Sequence, residues 1–395
     1  MNPAGSYTVI DIFSGIGGMS LGFAAHENFR VAAAVEIDMD AAAAYSRNLG
    51  VAPLAEDVRN ISARKLLSRA GLRKGECTVL IGCAPCQSFS AHRRGRKKNK
   101  IDHVRDSLPF AWLALVKGVR PRHVCFENVP GLIKAAKGAI FKQFVQDLED
   151  LGYKVAWAIE NALDYGVPQS RKRLLVVGSR VATPVLPKPS HGAPESPDVL
   201  AGKLDPWRTV RDAIEHLPVL ASGERSKNDP YHAARQQQSI VLRRLKHIGE
   251  GESHLQLPSH LRLACHRGHL GHPDVYGRMR WDAPAPTLTG GCTNLTKGRF
   301  AHPEQDRSIT LREALILQTF ADGTVLAGTR DKMQLQVGNA VPPRLASRIA
   351  EIILEMERQA TKSPKRRQPV KRRAEAARAP KSSKPANQRS SKPSY

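Results

Sequence analysis

Aromatic side chains are scarce. Four Trp, seven Tyr and ten Phe make up 5% of 395 residues, so the core must be built from aliphatic side chains. Cysteine is scarcer still. Six thiols at irregular spacing (Cys77, Cys83, Cys86, Cys125, Cys265 and Cys292) do not resemble a disulfide framework and fit a reducing interior. No uninterrupted apolar run reaches the roughly 18 residues that a membrane span needs. The stretch Met1 to Thr8 has no basic region followed by an apolar one, which argues against a secretory signal. These absences lead to the expectation of a cytoplasmic protein with no membrane partner. Acids are few as well: 36 Asp and Glu stand against 61 Lys and Arg.

The resulting net charge of +25 is the main compositional signal. From Thr361 to Tyr395 there are 12 Lys or Arg and one acid, Glu375, so that net +11 leaves +14 on the rest. A basic surface releases counterions from a polyphosphate and so favours nucleic-acid binding, without saying which nucleic acid. The 41% hydrophobic content is ample for one large domain and a smaller one.

Along the chain, strands and helices alternate. A strand at Thr8 to Phe13 leads through a glycine turn into a helix at Met19 to His26, then a strand at Val31 to Glu36 and a helix at Met39 to Leu49. Further strands are expected at Thr78 to Gly82, His123 to Glu127, Lys154 to Asn161 and Arg173 to Gly178, with helices from about Leu108 to Val119 and Ile140 to Leu151. Such alternation predicts an α/β fold with a mostly parallel sheet covered on both faces. Prolines at 184, 187, 189, 194, 197 and 206 break the rhythm. Helical patterns return at Leu311 to Thr319 and Arg344 to Arg358. The expected organisation is a large domain of residues 1–185 completed by 308–358, a smaller irregular domain at 186–307, and a disordered basic tail at 359–395.

Three sites carry chemistry. In Asp11-Ile12-Phe13-Ser14-Gly15-Ile16-Gly17-Gly18, the glycines allow a tight turn and close approach of a ligand, and the next helix offers its N-terminus to a carboxylate. Glu36, ending the second strand, suits the two hydroxyls of a ribose, and Asp57 an adenine amino group. A dinucleotide is disfavoured because Ser20 stands where a third glycine belongs. In Gly82-Cys83-Ala84-Pro85-Cys86-Gln87, Cys86 follows a strand and emerges at the sheet's carboxyl edge, where a thiolate could act as a covalent nucleophile. A Cys83–Cys86 redox pair or half a zinc site remain alternatives, though no second ligand pair accompanies them. Glu127 ends another strand. A carboxyl in apolar surroundings there could hand over a proton, or it could be an ordinary capping or paired acid.

Five motifs occur in order: the glycine turn, Ala84-Pro85-Cys86-Gln87, Glu127-Asn128-Val129-Pro130, Gln169-Ser170-Arg171-Lys172-Arg173 and Gly338-Asn339-Ala340-Val341-Pro342-Pro343. Over residues 8 to about 355 the chain resembles the DNA (cytosine-5)-methyltransferase family, with a Rossmann-like fold and S-adenosyl-L-methionine as methyl donor. The resemblance implies Cys86 as nucleophile, Glu127 at N3, and Arg171 and Arg173 steadying the flipped cytosine. It implies a cofactor pocket of Phe13, Gly15, Gly17, Gly18, Glu36, Asp57, Pro85, Leu108, Asn339 and Val341, and no metal. The pattern departs from the family at His103, where an acid is usual, and at Ile309-Thr310-Leu311 and Gln318-Thr319-Phe320-Ala321.

The implied partner is double-stranded DNA, acted on by a nucleoid-associated monomer, with a cognate restriction endonuclease as a separate companion. A stacked base must be swung out before its C5 can react. Seven Lys or Arg crowd into Arg93–Arg105 around Gly95, a loop suited to clamping phosphates, or else a solvated charged loop. Gln87, Ser90, Arg93, Arg94, Arg96, Lys97, Lys98 and Gln169 are the expected DNA contacts. Residues from about 186 to 277 would read the target word. Rival readings are methylation of RNA cytosine and a catalytically silent DNA-binding module.

Overall fold

The computed structural model describes residues 7–85, 107–263 and 272–362. Six strands form one sheet: β1 (Tyr7–Ile12), β2 (Phe29–Val35), β3 (Val79–Gly82), β4 (His123–Asn128), β5 (Lys154–Asn161) and β6 (Lys172–Ser179), in the order β2-β1-β3-β4-β6-β5. β1 is parallel to β2 and β3, and β3 to β4, whereas β6 is antiparallel to β4 and β5. The sheet is thus mostly parallel, as the alternation predicts. Its register decides where the site lies. Ile12 is opposite Gly82 and Gly82 opposite Phe126, so the carboxyl ends of β1, β3 and β4 share one edge. Because β6 runs the other way, its first residues, Lys172 and Arg173, arrive at that same edge.

Successive side chains alternate between two layers. Ile10, Ile12, Leu80, Val124, Phe126, Leu174 and Val176 face one core; Val9, Val79, Ile81, Cys125, Leu175 and Val177 face the other. Each such buried aliphatic side chain contributes about 2 kcal/mol by leaving water. The first layer is covered by α3 (Ala63–Ala70), α4 (Leu108–Val119) and α5 (Ala139–Asp150), on the side of the sheet away from α1 (Gly18–Ala24). Here the scarce aromatics gather: Trp112, Phe126 and Phe144 lie 4.8–5.9 Å apart between ring centroids. Gly82 is small for this reason, since a Cβ there would sit 2.4 Å from the Trp112 indole nitrogen. In α2 (Met39–Leu49), Asp38 caps the first turn through the amides of Asp40 and Ala41, and Gly50 ends the helix in a left-handed conformation.

The middle segment has little regular structure: the paired β7 (His191–Gly192) and β8 (Asp205–Pro206), and short helices including α6 (Val210–Ile214) and α7 (Ser239–Leu245). Its own core is small, built on Leu245, Ile248, Leu257, Leu261, Val275, Tyr276, Leu295 and Ala301. Val210, Ala213, Ile214, Met279 and Leu288 instead share a core with Ile16, Ala44, Leu311, Leu315 and Val337. The cores therefore divide inside 186–307 rather than at its ends.

Three helices follow: α8 (Leu311–Leu317), α9 (Arg330–Asn339) and α10 (Pro343–Lys362). α10 folds back so that Leu345, Ala346, Ile349 and Ile353 join Met19 and Phe23 of α1 in the second layer. Several boundaries differ from the sequence reading. The first helix ends at Ala24 and the second strand begins at Phe29. α8 stops at Leu317, two residues before Thr319 takes φ 63°. The stretch 359–362, expected to start the disordered tail, is the last turn of α10. That end of the helix is anchored: buried Glu357 accepts from Arg122 and meets His123 of β4 at 2.7 Å.

Candidate active site

A cleft of about 1670 Å³ opens at the carboxyl edge of the sheet. In one half, the chain leaves β1 through Phe13, which is held at φ 63°, a conformation that costs a non-glycine residue about 1–2 kcal/mol. Gly15 also has positive φ, 54°, and nothing lies within 4 Å of where its Cβ would be, so this turn faces open space. Gly18 differs. A Cβ there would strike the Val341 carbonyl oxygen at 2.2 Å. Its smallness serves the fold-back of the C-terminal segment, and the residue also lines the cleft. Gly338 does the same against Thr289, whose carbonyl would lie 2.1 Å from a Cβ.

Glu36 holds this half together. Its Oε2 accepts the Gly15 amide at 2.8 Å and its Oε1 the Asp38 amide at 2.9 Å, while burial raises its carboxyl above the ordinary range. Below it lies a buried chain that sequence reasoning missed. Ser20 Oγ donates to Asp11 Oδ2 at 2.6 Å and lies 2.8 Å from the Tyr45 hydroxyl. Burial pushes Asp11 up to about 7. Asp57 lines the cleft, but its carboxylate is engaged by the guanidinium and amide of Arg59, which hold it below the usual range. Lys332 pairs with Asp40 at the rim. Pro85, Leu108, Asn339 and Val341 all line the cleft.

The other half is built around Glu127. Its side chain is 3% exposed; Oε2 accepts from the Cys83 thiol at 2.8 Å, and Oε1 lies 3.1 Å from Arg173 Nε. Of the two settings the sequence allowed, apolar surroundings or a paired acid, the structure has the paired one. Arg171 is buried and donates from Nη1 to the carbonyls of Leu288 and Gly338, joining its own motif to the one at 338–343. Burial, with Arg173 beside it, pulls Arg171 down to about 9, so it stays charged at neutral pH. Asn128 Nδ2 donates to the Ala84 carbonyl at 3.1 Å and so ties the end of β4 to the loop leaving β3. Among the described residues that line the cleft, three carry a buried polar atom without a hydrogen bond: Ser14 Oγ, Arg171 Nε, and Glu127 Oε1, which has only its ion pair with Arg173. Buried polar groups are nearly always paired, so these call for a ligand.

Against this geometry the similarity to known proteins is decisive. The model of the C-5 cytosine-specific DNA methylase family matches residues 7–355. The chain belongs to that family. It is 35% identical to the type II methylase M.HgiDII of Herpetosiphon aurantiacus over 351 residues, 87% of this chain and 94% of that one. Type II methyltransferase M1.HphI of Haemophilus parahaemolyticus is 34% identical over 354 residues, 89% and 87% of the two chains. Among solved structures, a prophage-encoded E. coli protein described as a DNA modification methyltransferase matches with a TM-score of 0.65 at 23% identity, across 89% of this chain and 100% of that one. S. pombe Dnmt2 methyltransferase matches at 0.57 and 18% identity, across 88% and 98%. At such identities these two likenesses speak for the fold alone.

The protein is thus a DNA (cytosine-5)-methyltransferase, and its family implies S-adenosylmethionine as methyl donor. The cofactor half of the cleft fits that group. The open turn at Gly15, the unpaired Ser14 hydroxyl and the Glu36 carboxylate offer polar contacts, and Ile37, 62% exposed in the cleft, offers an apolar face that sequence reasoning missed. One expected DNA contact does not reach a surface. Gln169 is fully buried; its amide donates to Gln318 and accepts from Leu288, so it links motifs instead. Cys86, Gln87, Ser90, Arg93, Arg94, Arg96, Lys97 and Lys98 lie outside the described residues. Among those described, no cluster of His, Cys, Asp and Glu suits a metal ion, and no helix is long and apolar enough to cross a membrane.

Proposed function

We propose that the enzyme methylates C5 of a cytosine within a specific DNA word, after the base has been swung out of the duplex, through a covalent bond from Cys86 to C6. The observation that carries this reading is the buried Glu127 carboxylate, in the lining of the same cleft as Pro85, the residue before Cys86: its Oε1 is ion-paired with Arg173 but accepts no hydrogen bond. A buried acceptor of this kind suits the N3–N4 edge of a flipped cytosine.

In the proposed reaction, the Cys86 sulfur forms a bond to C6 and the C5=C6 electrons move toward C5 and the N3 side of the ring. Glu127, steered by Arg173, hands a proton to N3 as negative charge builds there, and its carboxylate then holds the N3–H. Once C5 carries the methyl group, loss of the C5 proton, return of the N3 proton to Glu127 and departure of the sulfur restore the ring. S-adenosylmethionine, when bound, supplies an electrophilic methyl group. Glu36, Phe13, Ser14, Gly15, Ile37 and Val341 would hold it, and exclusion of water by the cleft walls protects the reacting atoms. Swinging the base out costs a few kcal/mol, for which the basic segment Arg93–Arg105 would compensate through phosphate contacts. The type II names of the relatives support a role in restriction–modification.

Labelled S-adenosylmethionine incubated with duplex DNA or tRNA tests the substrate. Label in DNA, abolished by Cys86→Ser, is expected. Label confined to tRNA would overturn the substrate, and label persisting in the mutant would overturn the mechanism.

A further inference from the structure

Cys83 stands three residues before the proposed nucleophile and has no role in the chemistry above. Its backbone amide still donates to the Ile12 carbonyl at 3.4 Å, so the thiol is carried at the end of β3 by the sheet itself. From there it donates to Glu127 Oε2 at 2.8 Å. Arg173 approaches the other oxygen at 3.1 Å. Glu127 is thus gripped from two sides, by a neutral donor just after β3 and a cation on β6, and Oε1, held by that cation as an ion pair, accepts no hydrogen bond.

We propose that Cys83 is a positioning residue for the reaction: its thiol fixes the Glu127 carboxylate so that Oε1 meets the flipped cytosine. This rests on the reading of Glu127 as the group that contacts the base. The two grips differ in kind. Arg173 supplies charge as well as direction. The thiol supplies direction alone, because an S–H···O contact fixes an oxygen without neutralising it. Burial and the Glu127 charge raise the Cys83 thiol well above its ordinary value, even with Arg171 and Arg173 nearby. At neutral pH it therefore remains a protonated donor and does not compete with Cys86 as a nucleophile.

The test is single-turnover methylation of a cognate duplex, together with the rate of adduct formation on a 5-fluorocytosine duplex. The proteins compared are the full chain, Cys83→Ala, Cys83→Ser, Glu127→Gln and the Cys83→Ala/Glu127→Gln double variant. Cys83→Ala is expected to lower both rates about tenfold, as a displaced catalytic group does, with KM for DNA and for S-adenosylmethionine within about twofold of the parent. Cys83→Ser, which keeps a donor, should recover most of the loss. In the Glu127→Gln background, Cys83→Ala should have no further effect. If Cys83→Ala does not fold, Cys83→Val removes the same donor at near-native volume. Unchanged rates in Cys83→Ala, no recovery in Cys83→Ser, or an equal fold-loss in both backgrounds would each overturn the positioning role. Full activity of Glu127→Gln would instead overturn the underlying reading of Glu127, so the two failures are distinguishable.

Discussion

The Glu36 carboxylate accepts the backbone amide of Gly15 at 2.8 Å, so the acid that ends the second strand also closes the glycine turn after the first. Removing it takes away the brace of the turn and, under the proposed function, a cofactor contact together. Glu36→Ala should weaken S-adenosylmethionine binding by roughly tenfold to a hundredfold, the cost of one or two hydrogen bonds to a charged group. Isothermal calorimetry would read it. An unchanged Kd would remove Glu36 from the cofactor site.

Gly22 lies inside α1, where Gly→Ala ordinarily stabilises a helix by about 1 kcal/mol. Here a Cβ would meet Ala346 Cβ at 2.4 Å and the Pro343 carbonyl at 2.5 Å. The sign should reverse, with Gly22→Ala and Gly18→Ala each costing about 1–3 kcal/mol through overpacking against the segment entering α10. Urea unfolding measures both, and a stabilised Gly22→Ala would contradict the close approach.

Asp11 titrates near 7 in the folded protein and near 3.8 in the unfolded chain. Between those values the folded state holds a proton that the unfolded state has lost, so this group favours folding at low pH. That contribution is fully present below about 4 and fades as pH rises through about 7. Glu36, also raised, acts with the same sign. His302, pulled down to about 4 by burial, acts oppositely, costing stability as pH falls below 6.5. The comparison must therefore be with a variant. Relative to the parent, Asp11→Asn should gain stability between pH 5 and pH 8, by about 2–3 kcal/mol. A difference that stays constant across that range would rule out the buried carboxyl as its source.

Arg171 and Arg173 are neighbours in one motif and should behave differently. Arg171→Ala strands the carbonyls of Leu288 and Gly338 in the interior and should cost about 2–4 kcal/mol of stability. Arg173→Lys keeps charge but loses the Nε contact with Glu127, so kcat should fall about tenfold or more with little change in Tm. Thermal melts beside single-turnover rates separate the two; matching profiles for both variants would refute the division.

Beyond Lys362 the sequence carries 11 Lys or Arg and one acid. Deleting 363–395 should flatten the salt dependence of DNA binding while leaving the methylated word unchanged. An unaltered slope of log Kd against log salt would show that these charges do not contact DNA.

Much of this protein follows from sequence alone, because the signals are local. Apolar runs alternating with amphipathic helices dictate a mostly parallel sheet. Its parallel strands align their carboxyl ends, so motifs at strand ends such as Glu36 and Glu127 gather at one edge. What chain order cannot express is contact between distant segments. Nothing near Gly18 announces Val341, nothing near Arg171 announces Leu288 and Gly338, and Gln169 looks like an exposed polar residue until Leu288 and Gln318 close over it. The charged surroundings of Glu127 likewise depend on one reversed strand, β6, which carries Arg173 to the edge where β4 ends. Local propensity determined which elements form; the long-range packing of the C-terminal segment and the direction of that strand decided which side chains meet.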